Sequence, residues 1–306
     1  MVLAIMLAVL ASFLWSITNH TDRFLVNGVD RAASSIKTLM VFSTLIAGIM
    51  AATIWLCFNG WQIPSINWPA FTLIFGSAGC YVVASYLYFR ALDGNETSRI
   101  VVLYQLIPMF SYVLGLIFLH ETLNLRQIGG SLIILVAAVI ISINFRQKAK
   151  TNQRQALLFM LLSCLAFALY YLLFDLAREQ SSYDSCAFWY QIGMVIFGLG
   201  FIIVPSFRNN FTQAIRRNGK IYVPLNLMNE LLNSAAVLMS NYAVIALPLA
   251  LANVMNGLQP AFTFILGVIG MKLMPKYFEE DLSRPAVIQK LACIVLIGIG
   301  IAVIFV

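Results

Sequence analysis

The sequence has little charge for its size. Asp, Glu, Lys and Arg together make up 10% of the 306 residues, whereas hydrophobic residues make up 61%. A soluble domain carries about 25% charged and about 45–50% apolar residues, so this composition excludes an ordinary soluble protein and predicts an integral membrane protein. The formal net charge of +7 falls almost wholly in short connecting segments. It is therefore a signal of membrane orientation, and nothing in the sequence indicates nucleic-acid binding.

Residues that bind metals or act as nucleophiles are also scarce. The five cysteines lie singly in or beside apolar runs, without a C-x-x-C pair, and there are two histidines, His20 and His120. This pattern argues against a metal or redox site and makes the cysteines small apolar fillers. The histidines fall at opposite faces of the membrane, so no catalytic constellation forms at one depth, and no G-x-x-x-x-G-K loop occurs. We expect no enzyme, no ATP-driven pump and no cofactor.

The sequence is rich in long apolar runs. At about 20 apolar residues per span, they predict an all-α polytopic membrane protein with ten transmembrane helices. The first run lacks a basic N-terminal region, which favours a retained span over a cleaved signal peptide. Of the joins, 206–221 and 275–285 are the longest, and we expect only short interfacial turns there. The predicted spans cover residues 2–25, 33–58, 71–91, 100–119, 125–143, 156–176, 186–205, 222–247, 249–274 and 286–306.

The two halves of the sequence repeat at an offset of 152 residues. At this offset Pro108 aligns with Pro260, and Gly115 aligns with Gly267. Five helices per half is an odd number, so the second half must enter the membrane from the opposite side. Such inverted-topology repeats are typical of secondary transporters, whose binding site lies near the midplane. We predict a first five-helix repeat at 1–145, a basic cytoplasmic linker at 146–155, and a second repeat at 156–306.

Lys and Arg fall almost entirely on one side of this topology. Of the 19 such residues, Arg126 and Arg178 lie on the minority side, which leaves 17 on the joins after helices 1, 3, 5, 7 and 9. Because cytoplasmic joins carry the excess of positive charge, this split predicts that both termini are non-cytoplasmic. We expect a multi-pass protein of the inner or plasma membrane, as a monomer or a homodimer. Helices 5 and 10, which have hardly a polar side chain, should lie at the periphery.

Several stretches carry a family resemblance. They are YFRALDGNETSRIVVLYQLIPMF and LGLIFLHETLNLRQIGGSLIILVAAVIIS in the first half, NYAVIALPLALANVMNGLQPAFTFILGVIG in the second, and LASFLWSITN with Trp15 in the first helix. In their order they resemble the drug/metabolite transporter (DMT) superfamily, EamA type, over nearly the whole chain. The family's glutamate after the fourth helix is matched by Glu121, whereas Leu273 holds the aligned place in the second half. Many members have cytoplasmic termini, opposite to the orientation predicted from charge.

The resemblance implies that the protein moves small organic solutes across the lipid bilayer by alternating access. Amino acids, nucleotide precursors, sugar phosphates and drugs are typical substrates of such proteins, and a fold by itself does not choose among them. We predict a secondary active transporter, with proton coupling as an open point. Two alternatives remain: a flippase for a lipid-linked substrate, and a membrane binding or scaffold protein that transports nothing.

The stretch 226–262 concentrates polar side chains within two apolar runs. Asn226, Asn229, Glu230 and Asn233 recur at helical spacing, and Asn253 and Asn256 recur on one face of the next run. Because polar groups at membrane depth are costly, such stripes face a cavity or the interior of the helix bundle. Glu230 could couple protons or balance a cationic group, or it could be a structural carboxyl that locks two helices. The asparagines could bind substrate or join helices through amide hydrogen bonds.

Aromatic and amide side chains in other helices extend the predicted site. At the offset of 152, Tyr81 aligns with Asn233 and Tyr104 with Asn256, so the opposite wall should be more aromatic. Tyr104 and Gln105, just before Pro108, could act as a gate or contact a ligand, and Tyr81 could equally serve packing alone. We expect Asp22, with its neighbours, to form a solvated ion cluster near the cytoplasmic interface. The complete predicted substrate-binding set is Trp15, Asn19, Tyr81, Tyr104, Gln105, Tyr171, Asn229, Glu230, Asn233, Asn253 and Asn256.

Overall fold

A computed structural model describes residues 2–27, 36–93, 95, 97–120, 124–142, 151–246, 255–274, 278 and 282–305. We label the continuous helical stretches of these residues α1 to α10. They are α1 (Val2–Asn27), α2 (Ile36–Phe58), α3 (Trp68–Leu92), α4 (97–119), α5 (Leu125–Ser142), α6 (Thr151–Arg178), α7 (Tyr183–Ile203), α8 (Pro205–Ala246), α9 (255–273) and α10 (Arg284–Phe305).

The predicted all-helical membrane class is confirmed for the described residues. Six stretches, α1 to α4, α6 and α7, are long and apolar enough to cross a membrane. Within α5 and α9, Leu125–Ala137 and Gln259–Leu273 are shorter apolar helices. The described residues thus contain six candidate spans, where the sequence predicts ten for the whole chain.

Local sequence explains where two of the helices begin. The side chain of Asn67 accepts a hydrogen bond from the Ala70 amide at 2.8 Å, and Pro69 follows at a position where a missing N–H costs nothing. The side chain of Ser182 likewise accepts from the Ser185 amide at 3.2 Å at the start of α7. Both caps lie in the short joins expected from the sequence.

Two helices contain a tight turn followed by proline. In α4 the 3₁₀ segment Leu103–Leu106 precedes the α-helix Ile107–Leu114, and in α9 the 3₁₀ segment Met255–Leu258 precedes Gln259–Leu273. Pro108 and Pro260 each stand in the first turn of the following α-helix, where proline needs no backbone donor. Each helix is therefore continuous across its proline and changes its pitch just before it.

The prediction of a short turn at 206–221 is wrong. These residues belong to α8, a continuous helix of 42 residues that runs through Pro224 and is about 63 Å long at 1.5 Å per residue. The segment has an apolar side that explains its helicity: Phe207 stacks on Phe201 of α7 with ring centroids 4.7 Å apart, and Phe211 lies 5.2 Å from Phe42 of α2. Because Phe207 and Phe211 are four residues apart, they lie on the same face of the helix, and both pack against neighbouring helices.

Three helix pairs make the main contacts of the fold: α3 with α6, α1 with α8, and α5 with α10. The first two pairs form the centre of the protein. In the third, Gln289 Nε2 donates to the Ile140 carbonyl at 2.5 Å, and Gly300 lies so close to α5 that an added Cβ would stand 2.6 Å from the Ile134 side chain. As far as the structure describes them, α5 and α10 contribute no residue to the central cavity, in keeping with their predicted peripheral position.

Candidate substrate cavity

A central cavity lies where α1, α3, α4, α6 and α8 converge. It holds about 770 Å³ of free space, counted out to its open mouth. One residue of α2 and one of α9 complete its wall. The lining residues are Trp15, Thr18, Asn19, Asp22, Ser43, Tyr81, Ser85, Tyr88, Phe89, Tyr104, Ile107, Phe167, Tyr170, Tyr171, Asn229, Glu230, Asn233, Val237 and Gln259.

The cavity has two chemically different walls. The wall formed by α1 and α8 carries three amides and both of its acids: Asn19, Asp22, Asn229, Glu230 and Asn233. The wall formed by α3, α4 and α6 carries seven aromatic side chains: Tyr81, Tyr88, Phe89, Tyr104, Phe167, Tyr170 and Tyr171. The aromatic side opposite the asparagines is the one expected from the sequence alignment of the two halves.

A three-residue chain of hydrogen bonds crosses the cavity between the walls. The indole Nε1 of Trp15 donates to Asn233 Oδ1 at 3.1 Å, and Asn233 Nδ2 donates to the Tyr81 hydroxyl at 2.9 Å. The acceptor and the donor of the Asn233 side chain are therefore both paired, each with a residue of a different helix. Such a buried amide fixes the relative positions of α1, α3 and α8.

The acidic part of the cavity lies one helical turn from this chain. Asn229 Nδ2 donates to Asp22 Oδ1 at 2.8 Å and so ties α8 to α1. Glu230 is 2% exposed, and its Oε2 has no hydrogen-bond partner among the described residues. A buried acceptor that stays without any partner costs about 1–3 kcal/mol.

The aromatic wall is a connected cluster of edge-to-face rings. Tyr81 makes T-shaped contacts with Phe167 and Tyr170, with centroids 5.6 and 5.4 Å apart. Phe167 contacts Tyr104 at 5.7 Å in the same geometry. Pairs of this kind add about 0.5–1.5 kcal/mol beyond burial and hold each other's orientation. These contacts fix the orientation of the rings relative to one another.

Three further tyrosine hydroxyls of this wall lie within hydrogen-bond distance of polar residues of α1 and α8. Tyr88 donates to Asn19 Oδ1 at 3.0 Å, Tyr170 donates to Asn241 Oδ1 at 2.5 Å, and Tyr171 lies 3.2 Å from the Ser240 hydroxyl. Ser240 and Asn241 continue the polar stripe that the sequence places on this helix. Through these contacts with Tyr171 and Tyr170, Ser240 and Asn241 hold the aromatic wall against α8.

Eight of the eleven predicted site residues line the cavity together. They are Trp15, Asn19, Tyr81, Tyr104, Tyr171, Asn229, Glu230 and Asn233. Asn253 lies outside the described residues, and so do the side chains of Gln105 and Asn256. Asn226, part of the same stripe, is fully buried and donates to the Tyr222 carbonyl of its own helix at 2.7 Å.

The expectation of a solvated ion cluster around Asp22 is wrong. Asp22 is 8% exposed and lines the cavity, with its carboxylate bonded to Asn229. Its neighbour His20 turns to a different helix, where Nε2 lies 2.8 Å from the Thr263 carbonyl. The error arises because α8 passes beside this end of α1 and buries it. Asp22 shares a face with Trp15 and Asn19, whereas its sequence neighbours do not, so Glu230 is joined by a second cavity carboxyl.

Sequence reasoning also missed several aromatic residues of the cavity. Tyr88 lies seven residues after Tyr81 and therefore on the same face of α3, so the helical period could have found it. Phe167 lies four residues before Tyr171 on the same face of α6. Tyr170 reaches the cavity as the neighbour of Tyr171, and no spacing rule indicates that both adjacent tyrosines take part.

The charge of the lining is one-sided. Among the described residues that line the cavity, two are carboxylic acids and none is Lys, Arg or His. No group of three or more His, Cys, Asp or Glu side chains in the described part of the chain is arranged to hold a metal ion.

Residues 2–143 match the model of the EamA-like transporter family. Within this stretch, which is just under half of the chain, the sequence is similar to the EamA-like transporter family. The resemblance to the DMT superfamily is thereby confirmed, and together with the apolar helices the family makes the chain a multi-pass integral membrane protein. EamA-like proteins are transporters, so the family points to transport and away from catalysis.

Solved structures share the fold of this chain. Among 28 matching chains is one titled "Crystal structure of protein", with a TM-score of 0.59 and 15% sequence identity. The match covers 98% of this chain and 95% of that chain, so the fold of the other structure extends over both halves. At this identity the likeness concerns the fold alone. None of the curated proteins compared matches the chain.

Proposed function

We propose that the protein is a secondary active transporter that moves a small organic solute across the membrane by alternating access through the central cavity. The observation that carries this proposal is the cavity itself. Helices from both halves meet there, and their buried polar atoms include Glu230 Oε2 and Asn229 Oδ1, which have no partner among the described residues. Polar groups at membrane depth are retained where they meet a solute or an ion.

An inverted repeat is part of the proposal, and local structure supports it. The 3₁₀ segments Leu103–Leu106 and Met255–Leu258 are separated by the same 152 residues that align the two prolines. At this offset the packed pair α3 and α6 corresponds to the pair α8 and α1. We assign the two repeats to residues 1–145 and 156–306, joined by the basic segment 146–155, and the ten-span topology follows from them.

Hydrogen bonds in the cavity support the same symmetry. The Tyr88 to Asn19 bond joins α3 to α1, and at an offset of 152 these positions become Ser240 and Tyr171, which also lie within hydrogen-bond distance. Asn233 bonds to Tyr81, and these two positions are themselves 152 residues apart. Equivalent residues of two repeats can touch only near the axis that relates them, so Tyr81 and Asn233 mark the centre of the transporter.

The chain of hydrogen bonds through Asn233 is suited to act as a gate. It joins α1, α8 and α3 through one side chain. Alternating access requires the two repeats to rock against each other around a fixed site. Breaking two hydrogen bonds at the axis would release that motion at a cost that a bound solute can offset.

Proton coupling rests on Glu230. Among the described residues, Asp22 of α1 and the Tyr81 hydroxyl of α3 are ionisable groups that interact with it electrostatically. A carboxyl group removed from water favours its neutral form, whereas contact with water allows ionisation. A cavity that opens alternately to the two sides would therefore let the carboxyl release a proton on one side and take one up on the other.

Reconstitution in liposomes tests the proposed function. Purified protein would be screened for uptake of a panel of labelled metabolites and of a fluorescent lipid analogue, with and without a pH gradient. Saturable flux of a soluble solute is the expected result. Movement of the lipid analogue alone would make the protein a flippase, and no flux of either would favour a binding or scaffold protein. Both of these outcomes contradict the proposal.

A further inference from the structure

The two acids of the cavity differ in their partners from Asp175, a buried acid of α6 that does not line the cavity. Asp175 is 4% exposed and is paired with Arg178 one turn away, at 2.7 Å from Nε and 2.5 Å from the terminal guanidinium nitrogen. Asp22 and Glu230 are buried to the same degree, yet the described lining offers them no basic side chain. Because buried charges are normally paired, the cavity lacks a positive charge that the fold elsewhere supplies.

The unpartnered atoms of this wall are mainly acceptors. Asp22 accepts from Asn229 Nδ2, which fixes the amide so that Asn229 Oδ1 is turned away from the carboxylate. Asn229 Oδ1 and Glu230 Oε2 are both buried and have no partner in the part of the chain that the structure describes. Asn19 Nδ2 is the corresponding unpartnered donor. Two acceptors beside two carboxyl groups present a site for a ligand that donates hydrogen bonds or carries positive charge.

The opposite wall suits the same ligand. Eight aromatic side chains line the cavity when Trp15 of α1 is counted with the seven of α3, α4 and α6. Ring faces attract cations within about 6 Å, by about 2 kcal/mol or more where the cation is desolvated. The same faces pack well against a flat apolar body. An anion would be repelled by either carboxyl group in its ionised form, and it would find no basic partner among the described lining residues.

We infer that the substrate is an organic cation with an apolar or aromatic body, held by Asp22 and Glu230 at its charged end and by the aromatic wall along its body. This inference rests on the proposed transport function and names its substrate class. The cation supplies the charge that the cavity lacks. Asn229 positions Asp22 for this contact, and its own oxygen can accept a hydrogen bond where the cation carries an N–H.

Binding of three shape-matched probes tests the inference directly. They share one two-ring body: 1-methyl-4-phenylpyridinium is a permanent cation, 4-phenylpyridine is uncharged at alkaline pH, and biphenyl-4-carboxylate is an anion. Affinity for the purified full-length protein would be measured by calorimetry in detergent, with empty micelles subtracted. We expect the cation to bind at least about tenfold more tightly than either of the others. Equal binding of the three, or no binding of the cation, would overturn the inference.

Substitutions at the two acids localise the site. Asp22→Asn and Glu230→Gln keep the side-chain shape, and each should weaken cation binding by about tenfold. Glu179→Gln is the matched control, because Glu179 is an exposed acid after α6 and should leave binding unchanged. Glu230→Asp keeps the charge and should retain more affinity than Glu230→Gln. Unchanged affinity in monodisperse Asp22 and Glu230 variants would refute the assignment.

The transport function and the organic cation as its substrate can be contradicted separately. Liposomes that move only a neutral or anionic solute would leave the transport function standing and overturn the cation as substrate. A protein that binds the cation through Asp22 and Glu230 but moves no solute would keep the cation site and contradict transport.

Discussion

At the scale of single residues, Glu230 carries the proposed coupling. Glu230→Gln keeps the shape of the side chain and most of its hydrogen bonds, so the variant should fold and bind uncharged solutes. It cannot ionise, so accumulation driven by a pH gradient should fall to the level of passive equilibration. Uptake into proteoliposomes with an imposed gradient is the measurement, with Glu179→Gln as the control. Uphill accumulation by the variant with unchanged pH dependence would make Glu230 structural.

Asn233 holds the centre of the cavity through Trp15 and Tyr81. Trp15→Phe removes the donor to Asn233 Oδ1 and leaves a buried acceptor, which should cost about 1–3 kcal/mol of stability. Thermal unfolding in detergent would detect it. Trp61→Phe is the control, since Trp61 lies exposed in the join after α2 and should change little. Equal stabilities of the two variants would contradict a structural role for the Trp15 hydrogen bond.

Individual residues show what the sequence could reveal about the site. The spacing of Asn229, Glu230 and Asn233 was sufficient to place them on one face, because helical phase is a local property. Asp22 has the same phase relation to Trp15 and Asn19, yet its position near the end of α1 suggested solvent. Its burial depends on α8 passing beside that end, which is a tertiary contact that no local pattern records.

At the scale of helices, close packing of α5 on α10 depends on Gly300. An alanine Cβ there would stand 2.6 Å from the Ile134 side chain and 2.7 Å from the Gly130 carbonyl, so Gly300→Ala should destabilise the protein by about 1–3 kcal/mol. Gly298, two residues earlier, has open space around it. Gly298→Ala should therefore be neutral, or stabilising by up to about 1 kcal/mol through helix propensity. Thermal unfolding of the pair tests the contact, and equal destabilisation by both would refute it.

The helices themselves differ in how far the sequence predicted them. Apolar runs of span length located α1, α3, α6 and α7 to within a few residues of their observed ends. The long α8 was predicted only in its second half, because a stretch with Arg216, Arg217 and Lys220 looks like a solvated join. Its first half is helical because Phe207 and Phe211 pack on α7 and α2. Apolar docking of two aromatic residues outweighed the polar composition.

At the scale of the whole molecule, the charge split predicts the orientation. In a protein whose native cysteines are replaced, a single Cys at Lys148 should be protected from an impermeant thiol reagent in intact cells, and a single Cys at Gln62 should be labelled. Gln62 is suitable because it is exposed in the join between α2 and α3. Labelling at position 148 with protection at 62 would reverse the assignment and place both termini in the cytoplasm.

Passage of solute through the central cavity is the claim on which the other proposals depend. In the same cysteine-free protein, Ser85→Cys places a thiol on the cavity wall and Gln62→Cys places one in an exposed join. Solute flux into proteoliposomes would be measured before and after both thiols are fully modified with a bulky reagent. The account predicts that modification at position 85 abolishes flux and that modification at position 62 leaves it unchanged. Undiminished flux with position 85 fully modified would contradict it.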